Sequence, residues 1–203
     1  MMPRSDVLQG FLDAIFGAFD DCVTDARARA SITTQIVAAL KVPHPERQDI
    51  GRRLPVCEGH LTDALSVGSD RPSLRLLLER FRALEPLLEW KTRPHFDETA
   101  SDNFATGHAN TMIVGPGGFE DRPDIWLGVS LLAPHVRYPD HDHAPEETYL
   151  VMSDGEFLHG ESGWFSPGVG GTFYNPPGIR HAMRSKGKPL FAFWALLPDQ
   201  TKR

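Results

Sequence analysis

Apolar positions in the first ninety residues recur with a helical period. Leu8, Phe11, Leu12, Ile15 and Phe19 stand at i, i+3, i+4, i+7 and i+11 with polar residues between them, which predicts an amphipathic helix. A second helix is predicted from about Thr24 to Lys41, with Ile32, Ile36 and Leu40 on one face and its end before Pro43. Pro43, Gly51 and Pro55 mark residues 43–58 as a loop. Leu77, Phe81, Leu84 and Leu88 predict a third helical stretch, which Pro86 kinks or restarts.

The period changes after about Trp90. Short runs of β-branched and aromatic residues then alternate with Gly, Pro and Asp turns: Thr111 to Val114, Ile125 to Leu132, Thr148 to Met152, Gly171 to Tyr174 and Leu190 to Leu197. Many short strands at this spacing predict an all-β sandwich or barrel. The expected organisation is therefore an α-helical region over residues 1–90 followed by a β-barrel domain over 91–203. The fold class is mainly β.

Composition narrows the function. A chain of 203 residues, 40% hydrophobic and 24% charged, is ordinary for a globular protein with a real core. The net charge of -6 and the lack of a Lys/Arg block argue against nucleic acid as partner. Cys22 and Cys57 have no metal- or redox-type spacing and are expected as free thiols. No run approaches the roughly 18 apolar residues that a membrane span needs. Asp6, Asp13, Asp20 and Asp21 interrupt the N-terminal apolar positions, unlike a signal peptide. The expectation is a cytoplasmic protein, monomeric or homodimeric, without a membrane partner.

The chemistry gathers in one run, His141-Asp-His143-Ala-Pro-Glu-Glu147-Thr-Tyr149, and in a second, Pro176-Pro-Gly178-Ile-Arg-His181. If the first run is extended, His141, His143, Glu147 and Tyr149 share one parity and one face. Burying such groups together is costly unless an ion binds them. Imidazole and carboxylate ligands suit one divalent transition metal, whether Fe, Mn, Zn, Co or Ni. His141, His143, Glu147 and His181 are the candidate ligands. His135 and His159 read as solvated loop residues, and Asp140, Asp142 and Glu146 as outward-facing flanks.

These two runs resemble the cupin motifs. His141-x-His143-x3-Glu147, with Gly155 further on, is similar to the first, and Gly170-x5-Pro176-x-Gly178-x2-His181 to the second. Three positions depart from the pattern: His135 replaces a glycine, the closing glycine comes one residue late, and Ser185 replaces a frequent Asn. None is a ligand. The resemblance covers about residues 105 to 197 and implies a small barrel around a metal. With Tyr149 two residues after Glu147, Tyr138 ahead of the motif, a helical first half and a length near 200, the chain resembles the cupin-type dimethylsulfoniopropionate lyases.

That resemblance implies a β-elimination on a small zwitterionic carboxylate, giving dimethyl sulfide and acrylate. It assigns the metal to His141, His143, Glu147 and His181, and proton abstraction to Tyr149. Tyr138 matches a second pocket tyrosine. A sulfonium also favours aromatic faces, for which Trp194, Phe193, Tyr138 and Tyr174 are candidates, Trp194 and Tyr138 foremost. The alternatives are another metal-dependent cupin enzyme, a dioxygenase or isomerase, or a non-catalytic small-molecule binding protein. Tyr149 favours the lyase, because dioxygen chemistry requires no positioned phenolate.

Overall fold

The computed structural model describes residues 3–66 and 68–198. The ends of the two expected regions, residues 1–2 and 199–203, lie outside the described residues. Helix α1 spans Asp6–Cys22, and the Ser5 hydroxyl caps it by accepting from the Leu8 N–H. Its buried stripe contains all five apolar residues of the periodic set.

The second helical run is interrupted. It consists of α2 (Ala26–Arg29), a π-helical stretch (Ala30–Ile36) and α3 (Val37–Ala39). Ile32, Ile36 and Leu40 are buried along it, as their spacing predicts. The expected loop over 43–58 needs correction, because α4 (Pro55–Leu65) starts inside it with Pro55 in its first turn. Pro86 ends a helix: α5 spans Pro72–Leu84, and a 3-10 turn follows at Glu85–Leu87. A short α6 (Phe104–Gly107) leads into the sheets.

Among the described residues nine strands follow: β1 (His108–Gly115), β2 (Glu120–Asp121), β3 (Trp126–Leu132), β4 (Arg137–His141), β5 (Glu146–Val151), β6 (Glu156–His159), β7 (Thr172–Asn175), β8 (His181–Arg184) and β9 (Leu190–Leu197). They form a six-stranded sheet in the order β2-β1-β3-β9-β5-β7 and a three-stranded sheet in the order β4-β8-β6. The five predicted apolar runs correspond to β1, β3, β5, β7 and β9, all in the larger sheet. The smaller sheet is new, since its strands are short and half polar.

Alternation along β9 divides the two sides of the larger sheet. Phe191 and Phe193 turn towards the helices, where Phe193 lies 5.9 Å from Phe11 and 5.3 Å from Phe81 between ring centroids. Phe193 is therefore helix–sheet core and not a pocket aromatic. Trp194 turns the other way, into the space between the sheets. Gly128, its partner across the β3–β9 ladder, makes this possible, because a Cβ there would sit 2.3 Å from the indole ring. The helical region thus packs on the outer face of the larger sheet.

A buried ion network ties the two parts together. Glu120, fully buried, accepts from Arg4 at 2.6 Å and from Arg122 at 3.0 Å. Arg122 also donates to the Val42 and Ala39 carbonyls at 3.0 and 2.9 Å, at the end of the second helical run. Replacing Glu120 by Leu takes from two buried guanidinium groups the carboxylate they share, so stability should fall by about 3–5 kcal/mol. A urea midpoint matching the parent protein would contradict this. Cys22 and Cys57 are both free and buried. Among the described residues no helix is long and apolar enough to cross a membrane.

Candidate metal centre

The two histidine-bearing runs bring their groups together from opposite sheets. His141 ends β4 and His181 opens β8, directly paired in the smaller sheet. His143 lies in the connection to β5, after the strand has ended, so the run is not extended throughout. Glu147 and Tyr149 share a face of β5 in the larger sheet. The single-strand geometry is corrected accordingly: the run crosses between sheets, and its two halves face one another across a cavity.

Local chemistry sets each position. In β4 the register slips between Tyr138 and His141, leaving one extra residue against β8. Tyr138 and His141 are three apart and would otherwise face opposite ways; the slip lets both line the cavity. Pro139, which has no N–H to offer a ladder, sits in the irregularity. Ahead of β8, Pro176 to Ile179 form a turn in which the Ile179 N–H donates to the Pro176 carbonyl at 3.2 Å. Gly178 holds the φ of +72° that such a turn requires, and its N–H donates to the His143 carbonyl at 2.9 Å. His135, at the family's glycine position, is exposed at a φ of +60°, so the left-handed turn is kept without glycine. Ser185 bridges the same corner by donating to the Ala133 carbonyl at 2.5 Å and accepting from the Val136 N–H at 2.9 Å.

The imidazoles of His141, His143 and His181 each offer a ligand nitrogen, and these three atoms all lie within 4.8 Å of one another. Each ring is oriented the same way. The Nδ1 of His141 faces the Pro139 carbonyl at 3.0 Å, that of His143 the Pro145 carbonyl at 2.8 Å, and that of His181 the Ile179 carbonyl at 2.9 Å. A carbonyl only accepts, so Nδ1 carries the proton and Nε2 keeps its lone pair. The Nε2 atoms of His143 and His181 are buried without a hydrogen-bond partner among the described residues. Bare nitrogens converging in a buried space are what a divalent ion binds. Burial, together with neighbouring His181, pushes His141 down to about 3, so its ring is neutral and ready to ligate.

Glu147 faces this cluster from the other sheet. Its Oε2 lies 3.1 Å from His181 Nε2 and 3.4 Å from His143 Nε2. Burial opposes its ionisation, but with a proton on Nε2 the two imidazoles outweigh burial and hold the carboxyl below its ordinary range. Two residues outside the expected set hold it in place. The amide of buried Asn175 donates to Glu147 Oε2 at 3.0 Å, and its Oδ1 accepts from His159 Nδ1 at 2.8 Å. His159 is therefore not a solvated loop residue; it lies on β6 as the outer member of this chain. The place of Asn175 just before Pro176 is its only sequence signal.

Tyr149 is 3% exposed and stacks on Phe173, with centroids 4.9 Å apart and planes at 14°. Its ring lies 6.4 Å from that of His181, and it lines the cavity. Burial first, and then the Glu147 carboxylate, push its hydroxyl well above the ordinary phenol range. Positive charge in the cavity would reverse that shift. Tyr138 and Trp194 also line the cavity. Tyr174 does not: its hydroxyl donates to Glu146 at 2.6 Å and Arg27 covers its ring, so it is no pocket aromatic. Asp142 is exposed, as expected of a flanking residue, whereas Asp140 does not face outward: its side chain is largely covered and engaged by Arg137 and Arg180.

Comparison with known proteins adds three findings. A family profile for dimethylsulfoniopropionate (DMSP) lyase matches residues 28–192. Among solved structures, a chain from the crystal structures of the DMSP lyases RdDddP and RnDddQII is 22% identical at a TM-score of 0.72, covering 94% of this chain and 92% of that one. The DMSP lyase DddQ from Ruegeria pomeroyi DSS-3 is 18% identical at a TM-score of 0.71, covering 98% and 95%. At such identities the likeness is one of fold, a cupin-like β core with N-terminal helices. No curated protein matches the chain.

Proposed function

Because the chain belongs to the DMSP lyase family, we propose that it cleaves dimethylsulfoniopropionate to dimethyl sulfide and acrylate in a metal-dependent β-elimination. The observation that carries this reading is the set of three imidazoles whose Nδ1 atoms are tied to carbonyls. This arrangement leaves their Nε2 atoms free to converge on a metal, beside a buried phenol. His141, His143 and His181 would hold the ion, with Glu147 as the fourth ligand. A divalent ion there supplies a Lewis acid for the substrate carboxylate and a positive potential at the Tyr149 hydroxyl.

The chain's own groups do the rest. Tyr149 Oη, as phenolate, takes the proton from the carbon next to the carboxylate. The electron pair of that C–H bond becomes the new carbon–carbon double bond. The bond from the β-carbon to sulfur breaks, and its pair leaves on sulfur as neutral dimethyl sulfide. No general acid is needed. A free phenol with a pKa of about 10 is a weak base near neutrality, and the surroundings of Tyr149 raise it further. The cation is therefore integral to the reading. Phe173 and Phe157 pack the Tyr149 ring, fixing the base and excluding water. Trp194 offers an aromatic face for the sulfonium.

Supplying purified protein with Fe, Mn, Zn, Co or Ni in turn and then with the sulfonium substrate should release headspace dimethyl sulfide with at least one of them. Absence of the gas with all five would remove the lyase reading in favour of another metal-dependent cupin enzyme or a binding protein.

A further inference from the structure

Arg93 belongs to neither motif, yet its side chain lines the same cavity as His141, Glu147, Tyr149 and Trp194. The backbone there is pinned. The Arg93 N–H donates to His108 Nε2 at 2.7 Å, while His108 Nδ1 faces the Phe104 carbonyl at 2.5 Å. The imidazole of His108 is fully buried and stacked on Phe104, with centroids 3.7 Å apart. The side chain is anchored as well: Arg93 Nε donates to the His95 carbonyl at 2.9 Å, and the guanidinium carbon lies 5.7 Å from the Tyr138 ring centroid. Arg122, Arg137 and Arg184 are all paired with acids. Among the described residues no carboxylate pairs with Arg93.

A polar relay next to it ends in another donor. Trp194 Nε1 donates to Ser130 Oγ at 3.1 Å, and Ser130 donates to Asn110 Oδ1 at 2.7 Å. The Asn110 amide then donates to the Tyr138 hydroxyl oxygen at 3.2 Å. A cavity of about 230 Å³ thus has a guanidinium that no carboxylate pairs among the described residues and a phenol hydroxyl at one wall, and an indole at another.

We propose that Arg93 and the Tyr138 hydroxyl form a carboxylate subsite that orients the zwitterionic substrate and restricts the enzyme to carboxylates. The inference rests on the lyase reading and supplies its specificity. The guanidinium repels a sulfonium as strongly as it attracts a carboxylate, so the substrate enters with only one polarity. The carboxylate end goes to Arg93, and the sulfonium to the wall carrying Trp194. Asn110 and Ser130 act as positioning residues, fixing the Tyr138 oxygen through the relay.

The test titrates metal-loaded protein with propionate, a carboxylate without a leaving group, in a calorimeter. Metal content and dimethyl sulfide release are measured in parallel. Arg93→Met should weaken propionate binding more than tenfold with metal content unchanged, and Arg93→Lys should recover part of the loss. In the lyase assay KM should rise by a larger factor than kcat falls. Propionate affinity within twofold of the parent in Arg93→Met overturns the subsite, even where dimethyl sulfide is produced. If instead the parent releases no gas while Arg93→Met still loses propionate, the lyase reading falls and the carboxylate subsite stands.

Discussion

Replacing Tyr149 by Phe should lower dimethyl sulfide release by about 10²–10⁴-fold, the usual contribution of one positioned proton acceptor. The substitution removes one oxygen and little else. The ring lies among Phe173 and Phe157, so phenylalanine packs there without a void. The three imidazoles do not depend on it, because each is oriented by a backbone carbonyl. Metal content should therefore match the parent protein while turnover collapses. In the parent, activity should rise with pH, since the working form of the phenol is the deprotonated one. A Tyr149→Phe enzyme within a few-fold of parental rate would place proton abstraction on another group.

His143→Ala should abolish both metal binding and activity. His143 is the candidate ligand outside the strands, in the Asp142–Pro145 connection. Its Nε2 nevertheless points into the same buried space as that of His181. Loss of an outer partner of a metal ligand costs roughly 10–100-fold in affinity, and loss of a ligand should exceed that. Metal per chain after dialysis, measured by mass spectrometry, decides the matter. Full occupancy in His143→Ala would strike this residue from the ligand set. Glu147 should respond in the same variant, because His143 is one of the two imidazoles that hold its carboxyl low.

The three converging histidines were legible in the chain because their surroundings are local. Pro176 to Ile179 turn through Gly178, and the run from His141 to Tyr149 carries its own spacing. The apolar strands of the larger sheet were legible for the same reason, since two-residue alternation is a short-range signal. Helix α4 was not. It begins at a proline within a run marked by Pro43 and Gly51, and Glu58, Gly59 and His60 part its buried Val56 and Cys57 from Leu61. The strands of the smaller sheet are short and half polar, so their pairing comes from long-range contact. Arg93, Asn110 and Asn175 belong to that class too. Lys91 pairs with Asn110 through two backbone hydrogen bonds of 2.8 Å, and that bridge brings the Arg93 segment alongside β1. No spacing along the chain encodes such a meeting. Phe193 and Tyr174 show the converse, aromatic residues whose strand face or exposed partner keeps them from the cavity.

Each of the three imidazoles is steered by a carbonyl two positions away in its own chain: Pro139 for His141, Pro145 for His143, Ile179 for His181. Ring orientation is therefore a property of three short peptides, independent of the identity of distant side chains. Two such cassettes, residues 139–145 and 179–181, are portable. Grafted onto another pair of facing sheets at the same separation, they should recreate the nitrogen trio there. Divergence elsewhere in the chain can then run far while the three rings keep their orientation.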